Sequence, residues 1–333
     1  MKRLVKFVLI GMIFSLTVNL SGCSAKNKTK PNEVRIGILN TPNDVAVARK
    51  KGYFQKAFPN KKVSFITFDS GVDANKALMS GGVDFATMGD TNGIVALTAG
   101  IPVKLLWINE MCGSNESLIV KKNSGIKTVA DLKGKKIATP FASTSHYSLM
   151  ITLKRAGLEH KVKLLDMDTQ NIVAAWKRGN IDAAYTWQPT LSQLQGDGRV
   201  LVDSSDLSKA GYSTANITLV SKAFLKQHPA DVKKFVGVLS KAHQLRKSDY
   251  ETTVKAAAKQ TGISNGDADK QMRGTTWPSL SEEYSAKYLG QKDQLGQFVV
   301  EMQRAGKFMS GQQTISYAPT LAQFRKFVYQ EGE

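Results

Sequence analysis

The richest run of hydrogen-bonding side chains in this sequence is Ser143-Thr144-Ser145-His146-Tyr147. It follows the apolar run Ile137-Ala138 and the turn residue Pro140, and it precedes Leu149, Leu153 and Ala156, which share one helical face. A strand that feeds a helix through hydroxyl residues predicts a capped helix N-terminus. The unpaired N–H groups of such a terminus, together with the helix dipole, suit an anion. The same cluster would also cap a helix that binds nothing. His146 could donate to an anion, or pack or cap.

Other residues add weaker signals. Trp187 closes a β-rich run and precedes Pro189, which forces an exposed turn, so it can wall a ligand or fill a core. Glu110 follows a strand and could reach an amine or lie in solvent. Asp90 either caps the helix expected over 92–99 or receives a positive group. Asn40, Asp69, Ser70, Thr91, Gln188 and Asn216 stand at or near the ends of expected strands. The four histidines, at 146, 160, 228 and 243, lack metal-ligand spacing. The chain has no G-x-S-x-G elbow, no phosphate-binding loop and no paired C-x-x-C. No metal, cofactor, catalytic residue or nucleic-acid partner is therefore expected.

The elements that must position these residues alternate. Short strands at 34–38, 63–68 and 103–108 are separated by helical patterns, which predicts βαβ units and mainly parallel sheets. A chain of 333 residues suits about two domains. Residues 77–86 and 175–184 share the pattern A-x-x-x-G-x-[VI]-D-x-A, a helix end, a C′ glycine and a buried strand. Residues 35–52 and 136–157 correspond more loosely. Two similar α/β lobes follow. Ligands of open α/β sheets bind beyond the carboxyl ends of the strands. The loops at 40–44, 69–73, 89–92, 110–115, 140–147 and 187–190 are expected to meet in one cleft. Residues 230–246, 252–260, 264–272 and 289–304 read as helices that pack on the first lobe. The first lobe is placed at 33–120 plus 221–333 and the second, inserted, at 121–220. The hinge crossings then fall at 121–125 and 215–221.

The amino end reads separately. Lys2, Arg3 and Lys6 precede a largely apolar stretch, and Leu20-Ser21-Gly22-Cys23 ends it. Residues 1–22 are expected to be a secretory signal peptide. The four closing residues resemble a bacterial lipobox, which implies a lipid on Cys23 and a membrane anchor. Residues 23–32 form a polar tether. Cys112 is the only other cysteine, so an internal disulfide is not expected in the processed chain. Lysine and arginine total 46 against 27 acids, a formal charge of +19. No dense basic block with interleaved aromatics accompanies it, so it reads as solvated basic faces.

Four stretches carry a resemblance. They are Pro140-Phe141-x-Ser143-Thr144-x-His146-Tyr147-Ser148-Leu149, then Ala174-Ala175-Trp176-x-Arg178-Gly179-x-Ile181-Asp182-x-Ala184-Tyr185-x-Trp187, with Phe68-Asp69-Ser70-Gly71 and Val200-Leu201-Val202-Asp203-Ser204. Together they resemble the taurine-binding proteins of ABC importers, within the nitrate, sulfonate and taurine group of solute receptors. The resemblance covers residues 33–221 well and the helical tail weakly. It implies a type II periplasmic-binding-protein fold, with two Rossmann-like lobes on a two-crossing hinge. It implies no enzymatic activity, a monomer on the outer face of the cytoplasmic membrane, and permease transmembrane subunits as partners. It also implies a sulfonate or zwitterionic solute at the second-lobe helix, with Trp187 as an aromatic wall. The alternatives are a same-fold receptor for another anion or a thiamine precursor, or a same-fold enzyme. Two departures stand out. Gly89-Asp90-Thr91-Asn92 replaces the family's Gly-Ser-Ser-Pro, and Asn216 replaces an Asp that pairs with the ligand ammonium. If Asp90 takes over that role, it is expected to do so from the opposite lobe.

Overall fold

The computed structural model describes residues 32–291 and 294–330. The expected signal peptide, Cys23 and the tether up to residue 31 lie outside the described residues. Strands β1 (Glu33–Leu39), β2 (Lys62–Phe68), β3 (Phe85–Gly89) and β4 (Val103–Met111) alternate with α1 (Asp44–Lys50), α2 (Tyr53–Ala57), α3 (Gly71–Met79) and α4 (Asp90–Thr98). Then come β5 (Glu116–Lys121), β6 (Lys136–Thr139), α5 (Thr144–Arg155), β7 (Lys163–Asp166), α6 (Thr169–Lys177), β8 (Ala183–Trp187), α7 (Thr190–Leu194), β9 (Gly198–Asp203) and α8 (Ser204–Lys209). The chain returns through β10 (Ala215–Ser221) to α9 (Lys222–Gln227), α10 (Pro229–Ser248), α11 (Tyr250–Thr261), α12 (Asn265–Arg273) and α13 (Leu280–Glu283). A short hairpin, β11 (Gly290–Gln291) and β12 (Gln294–Leu295), precedes α14 (Gln297–Gly311) and α15 (Leu321–Phe327).

Two five-stranded sheets result, ordered β2-β1-β3-β10-β4 and β7-β6-β8-β5-β9. Each has three parallel strands, then one antiparallel to its neighbours. The repeated sequence pattern has a physical basis. Asp84 N–H donates to Arg35 O at 2.8 Å, and Asp84 Oδ2 accepts Arg35 N–H at 2.9 Å. Asp182 treats Lys136 identically, at 2.9 and 2.8 Å. Each Asp therefore fastens the start of the neighbouring parallel strand. The glycine before each, Gly81 at φ 71° and Gly179 at φ 73°, turns the chain out of its helix.

The lobe boundaries differ from those read in the sequence. β5 lies in the second sheet and β10 in the first. The crossings are residues 112–115 and the stretch after α8, up to 214, not 121–125 and 215–221. Lys121–Gly125 is a turn inside the second lobe; its polar residues signalled a turn, which is not the same as a change of sheet. Asn115 fastens the first crossing, because its side-chain oxygen accepts Gly113 N–H at 2.8 Å.

The helical tail packs on the first lobe as expected: α10 and α11 lie against α1, α14 against α4, and α15 against β4. The stretch 289–304 is corrected. Its first third is the hairpin, because Gly296 approaches Tyr288 so closely that a Cβ there would sit 2.0 Å from the Tyr288 carbonyl oxygen. The first sheet buries Phe85 stacked on Phe235 at 3.9 Å on one face, and Met88 with Phe298 and Phe324 in the core of the other. Among the described residues no helix is long and apolar enough to cross a membrane.

Candidate ligand-binding site between the lobes

The N-terminus of α5 is built as expected, but its hydroxyls are already engaged. Ser143 is the N-cap, and its Oγ accepts His146 N–H at 3.1 Å while donating to Pro140 O at 2.5 Å. Thr144 and Ser145 donate their hydroxyls to Glu116 Oε1 at 2.5 and 2.6 Å. Glu116 Oε2 accepts Ser204 at 2.9 Å and Thr214 at 3.4 Å. One buried carboxylate thus joins α5, α8 and the second crossing. Burial pushes its pKa up, and the four hydroxyls oppose that shift. The backbone N–H groups of Thr144 and Ser145, in the first turn, have no partner within the helix. The anion-binding capacity of this terminus therefore resides in its backbone.

The first lobe presents Asp90, Thr91 and Asn92 at the start of α4. Asn92 donates across to Ala142 O at 2.9 Å, which brings α4 against the loop before α5. Gly71 makes room for this, since a Cβ there would lie 2.3 Å from Asn92 Oδ1. Asp90 is 1% exposed; its Oδ1 accepts Thr91 N–H at 2.9 Å, and its Oδ2 has no partner. Burial pushes its pKa up to about 8, and the Glu116 charge adds to the shift. Glu110, on β4, accepts the Asn216 amide at 2.8 Å, and burial raises its pKa to about 7. The expectation that Asp90 opposes Asn216 from the other lobe is corrected. Both belong to the first lobe: Asp90 opens α4 directly after β3, and Asn216 on β10 pairs with Gly89 and with Glu110.

The remaining expected residues are placed as follows. Thr91, Ser143 and His146 line a small cavity between the lobes together with Tyr147, Phe308 and Thr314. Its volume is about 10 Å³, room for one water at most, so a sulfonate-sized ligand requires the lobes to part. His146 stacks on Phe141 at 4.3 Å, and burial lowers its pKa. Trp187 is half-buried and directly opposite Glu116 in the β5–β8 ladder, so both side chains take the same sheet face. Gln188 is buried and its Oε1 accepts Ser192 N–H at 3.0 Å, so it caps α7. Ser70 caps α3, and Asp69 is exposed. Asn40 is exposed and reaches Thr261 O at the end of α11. Sequence reasoning missed Glu116, Ser204 and Thr214. A lone acid heading the apolar run Leu118-Ile119-Val120 was the available signal for the first. Among the described residues no group of three or more His, Cys, Asp or Glu could hold a metal ion.

Two lobes of the same strand order, with helix N-termini facing one another across paired crossings, define a periplasmic-binding-protein fold. The chain belongs to the NMT1/THI5-like family, whose model matches residues 43–251. It is similar to the taurine-binding periplasmic protein of Escherichia coli K12, at 35% identity over 251 residues, 73% of this chain and 78% of that one. It is also similar to a putative aliphatic sulfonates-binding protein of the same strain, at 29% identity over 79% of this chain and 81% of that one. Among solved structures, the periplasmic aliphatic sulphonate binding protein SsuA of Escherichia coli superposes with a TM-score of 0.74 at 26% identity. That match covers 91% of this chain and 95% of the other.

Proposed function

We propose that this chain is the extracytoplasmic receptor of an ABC importer, that it captures taurine or a related alkanesulfonate between its lobes, and that it delivers the solute to the permease transmembrane subunits. The observation that carries this reading is the α5 N-terminus at the interlobe cavity. Ser143, His146 and Tyr147 of that terminus line the cavity, and beside them stand the positive end of the helix dipole and the first-turn N–H groups. The names of the relatives supply the sulfonate. The receptor works as a monomer and binds without turnover. In support, Cys112 is a poor nucleophile, since burial pushes its thiol well up. In a thermal-shift series on the full chain, short alkyl and aminoalkyl sulfonates are expected to raise the melting temperature. A ligand at 100 times its Kd adds about 2.7 kcal/mol of stability. No shift with any of them at millimolar concentration would remove the sulfonate reading.

The anchor belongs to the same reading. Lipid on Cys23 holds the receptor at the outer face of the cytoplasmic membrane. Labelled palmitate is expected to enter the wild-type protein and not Cys23→Ala. Equal labelling of the two would reject the anchor.

A further inference from the structure

We infer that the first lobe carries a second binding face, a groove along α10 that takes an acidic amphipathic helix of another protein. The groove has a volume of about 1530 Å³, above the roughly 300–1,000 Å³ of small-solute sites. Every residue lining it lies between Lys233 and Tyr329, and none of them lines the interlobe cavity. One face of α10 contributes Lys233, Gly237, Ser240, Gln244 and Lys247, which recur at intervals of three and four residues. At 1.5 Å per residue, Lys233 and Lys247 stand about 21 Å apart, roughly four helical turns. Gly237 is an independent signal. It sits inside a 20-residue helix, where glycine is the least favourable residue after proline. A Cβ there would meet nothing within 4 Å, so no packing within this chain calls for a glycine. Its bare backbone instead admits a close approach from outside, as one helix laid on another requires.

Charge and apolar surface together set the character of the partner. Arg246 is half-buried in the groove, its guanidinium 4.6 Å from the Trp277 ring, and its Nη2 donates to the Met272 and Thr275 carbonyls at 2.6 and 2.9 Å. Arg273 also lines the groove and is paired with Asp269 at 2.9 Å. Lys233, Arg246 and Lys247 form no ion pair among the described residues. Glu282 is the only acid lining the groove, and its Oε2 already accepts the Ser279 N–H and hydroxyl at 2.7 Å. The missing complement is therefore negative. It is not negative alone, because Trp277 lines the same groove and Leu280 on α13 is 41% exposed there. A bare polyanion would leave those side chains in water. A helix with an apolar stripe flanked by glutamates covers the apolar wall and meets the lysines at both ends.

The test lets the protein choose its peptide. Random peptides of about sixteen residues, roughly four helical turns, are displayed on phage and selected against the full chain. The recovered peptides are expected to be rich in aspartate and glutamate, with apolar residues at helical spacing. A synthetic copy of the most enriched peptide is then titrated by fluorescence anisotropy against wild type, against Lys233→Glu combined with Lys247→Glu, and against Gly237→Leu. All three positions are exposed, so both variants are expected to melt as wild type does, which certifies their fold. Each variant is expected to bind the peptide at least about tenfold more weakly. Recovery of no peptide, recovery of peptides without acidic residues, or equal affinity for the three proteins would overturn the inference. If no peptide is recovered but phosphatidylglycerol vesicles sediment wild type and not the double lysine variant, the groove faces a lipid surface and the protein partner is rejected.

Discussion

Glu116→Ala is expected to lower the stability of this chain by about 2–5 kcal/mol, the scale of leaving several buried hydroxyls unsatisfied beside a new cavity. The carboxylate is 1% exposed and accepts hydroxyl protons from Thr144, Ser145, Ser204 and Thr214. Removing it leaves four buried hydroxyls without their acceptor, and each unsatisfied group costs about 1–3 kcal/mol before water or relaxation reduces the sum. It also opens a cavity between α5 and α8. Glu116→Gln keeps the volume and one acceptor oxygen, and is expected to cost far less. Urea unfolding of the three proteins measures the difference. A midpoint for Glu116→Ala within error of wild type would show that the four hydroxyls do not depend on this residue. Because the same carboxylate orients the first turn of α5, Glu116→Ala is also expected to weaken sulfonate binding in whatever fraction remains folded.

The second large effect is on pH. Asp90 and Glu110 have ordinary pKa values of 3.8 and 4.5, and burial raises them to about 8 and about 7. The unfolded chain loses these protons near pH 4, whereas the folded chain holds them until pH 7 or 8. Between those limits the folded state binds more protons, so stability falls as pH rises. The contribution is complete below about pH 4 and gone above about pH 8. Surface acids such as Asp73 and Asp131, whose pKa values are lowered by their hydrogen bonds, act in the opposite sense and only in the acid range. The ligand-free protein is therefore expected to melt several degrees higher at about pH 5 than at about pH 8, from a few kcal/mol of linked protonation. Asp90→Asn should flatten that slope. A melting temperature that climbs steadily from pH 5 to pH 8 would contradict the burial of these two acids.

Much of this fold could be read in the sequence. The duplicated A-x-x-x-G-x-[VI]-D-x-A pattern located equivalent strands because Asp84 and Asp182 are tied by strict backbone geometry. The hydroxyls of 143–145 located α5 because capping is local. The crossings could not be read this way. Membership of β5 in one sheet and β10 in the other depends on pairings with strands far away in sequence, and 112–115 has no stronger turn chemistry than 121–125. The hydroxyls were also read as donors to a solute, when Thr144 and Ser145 donate to Glu116, 28 and 29 residues earlier in the chain. Local pattern shows that a polar group is present, but a partner so distant in the chain is set by tertiary packing.

The exchange of β5 and β10 between sheets also dictates an order of assembly. All five strands of the second sheet lie in one continuous stretch, from Glu116 to Asp203. The first sheet needs β10 between β3 and β4, so its middle stays vacant until residue 221 has emerged. As the chain is delivered amino end first, the later-made half can complete its pairing while the earlier-made half still exposes two unpaired strand edges. Such edges invite pairing with other chains, and long-range closure is slow. Nascent protein halted near residue 210 would hold one finished lobe and one adhesive one. The interval between residues 111 and 215 is therefore the time during which this protein most needs protection from its neighbours.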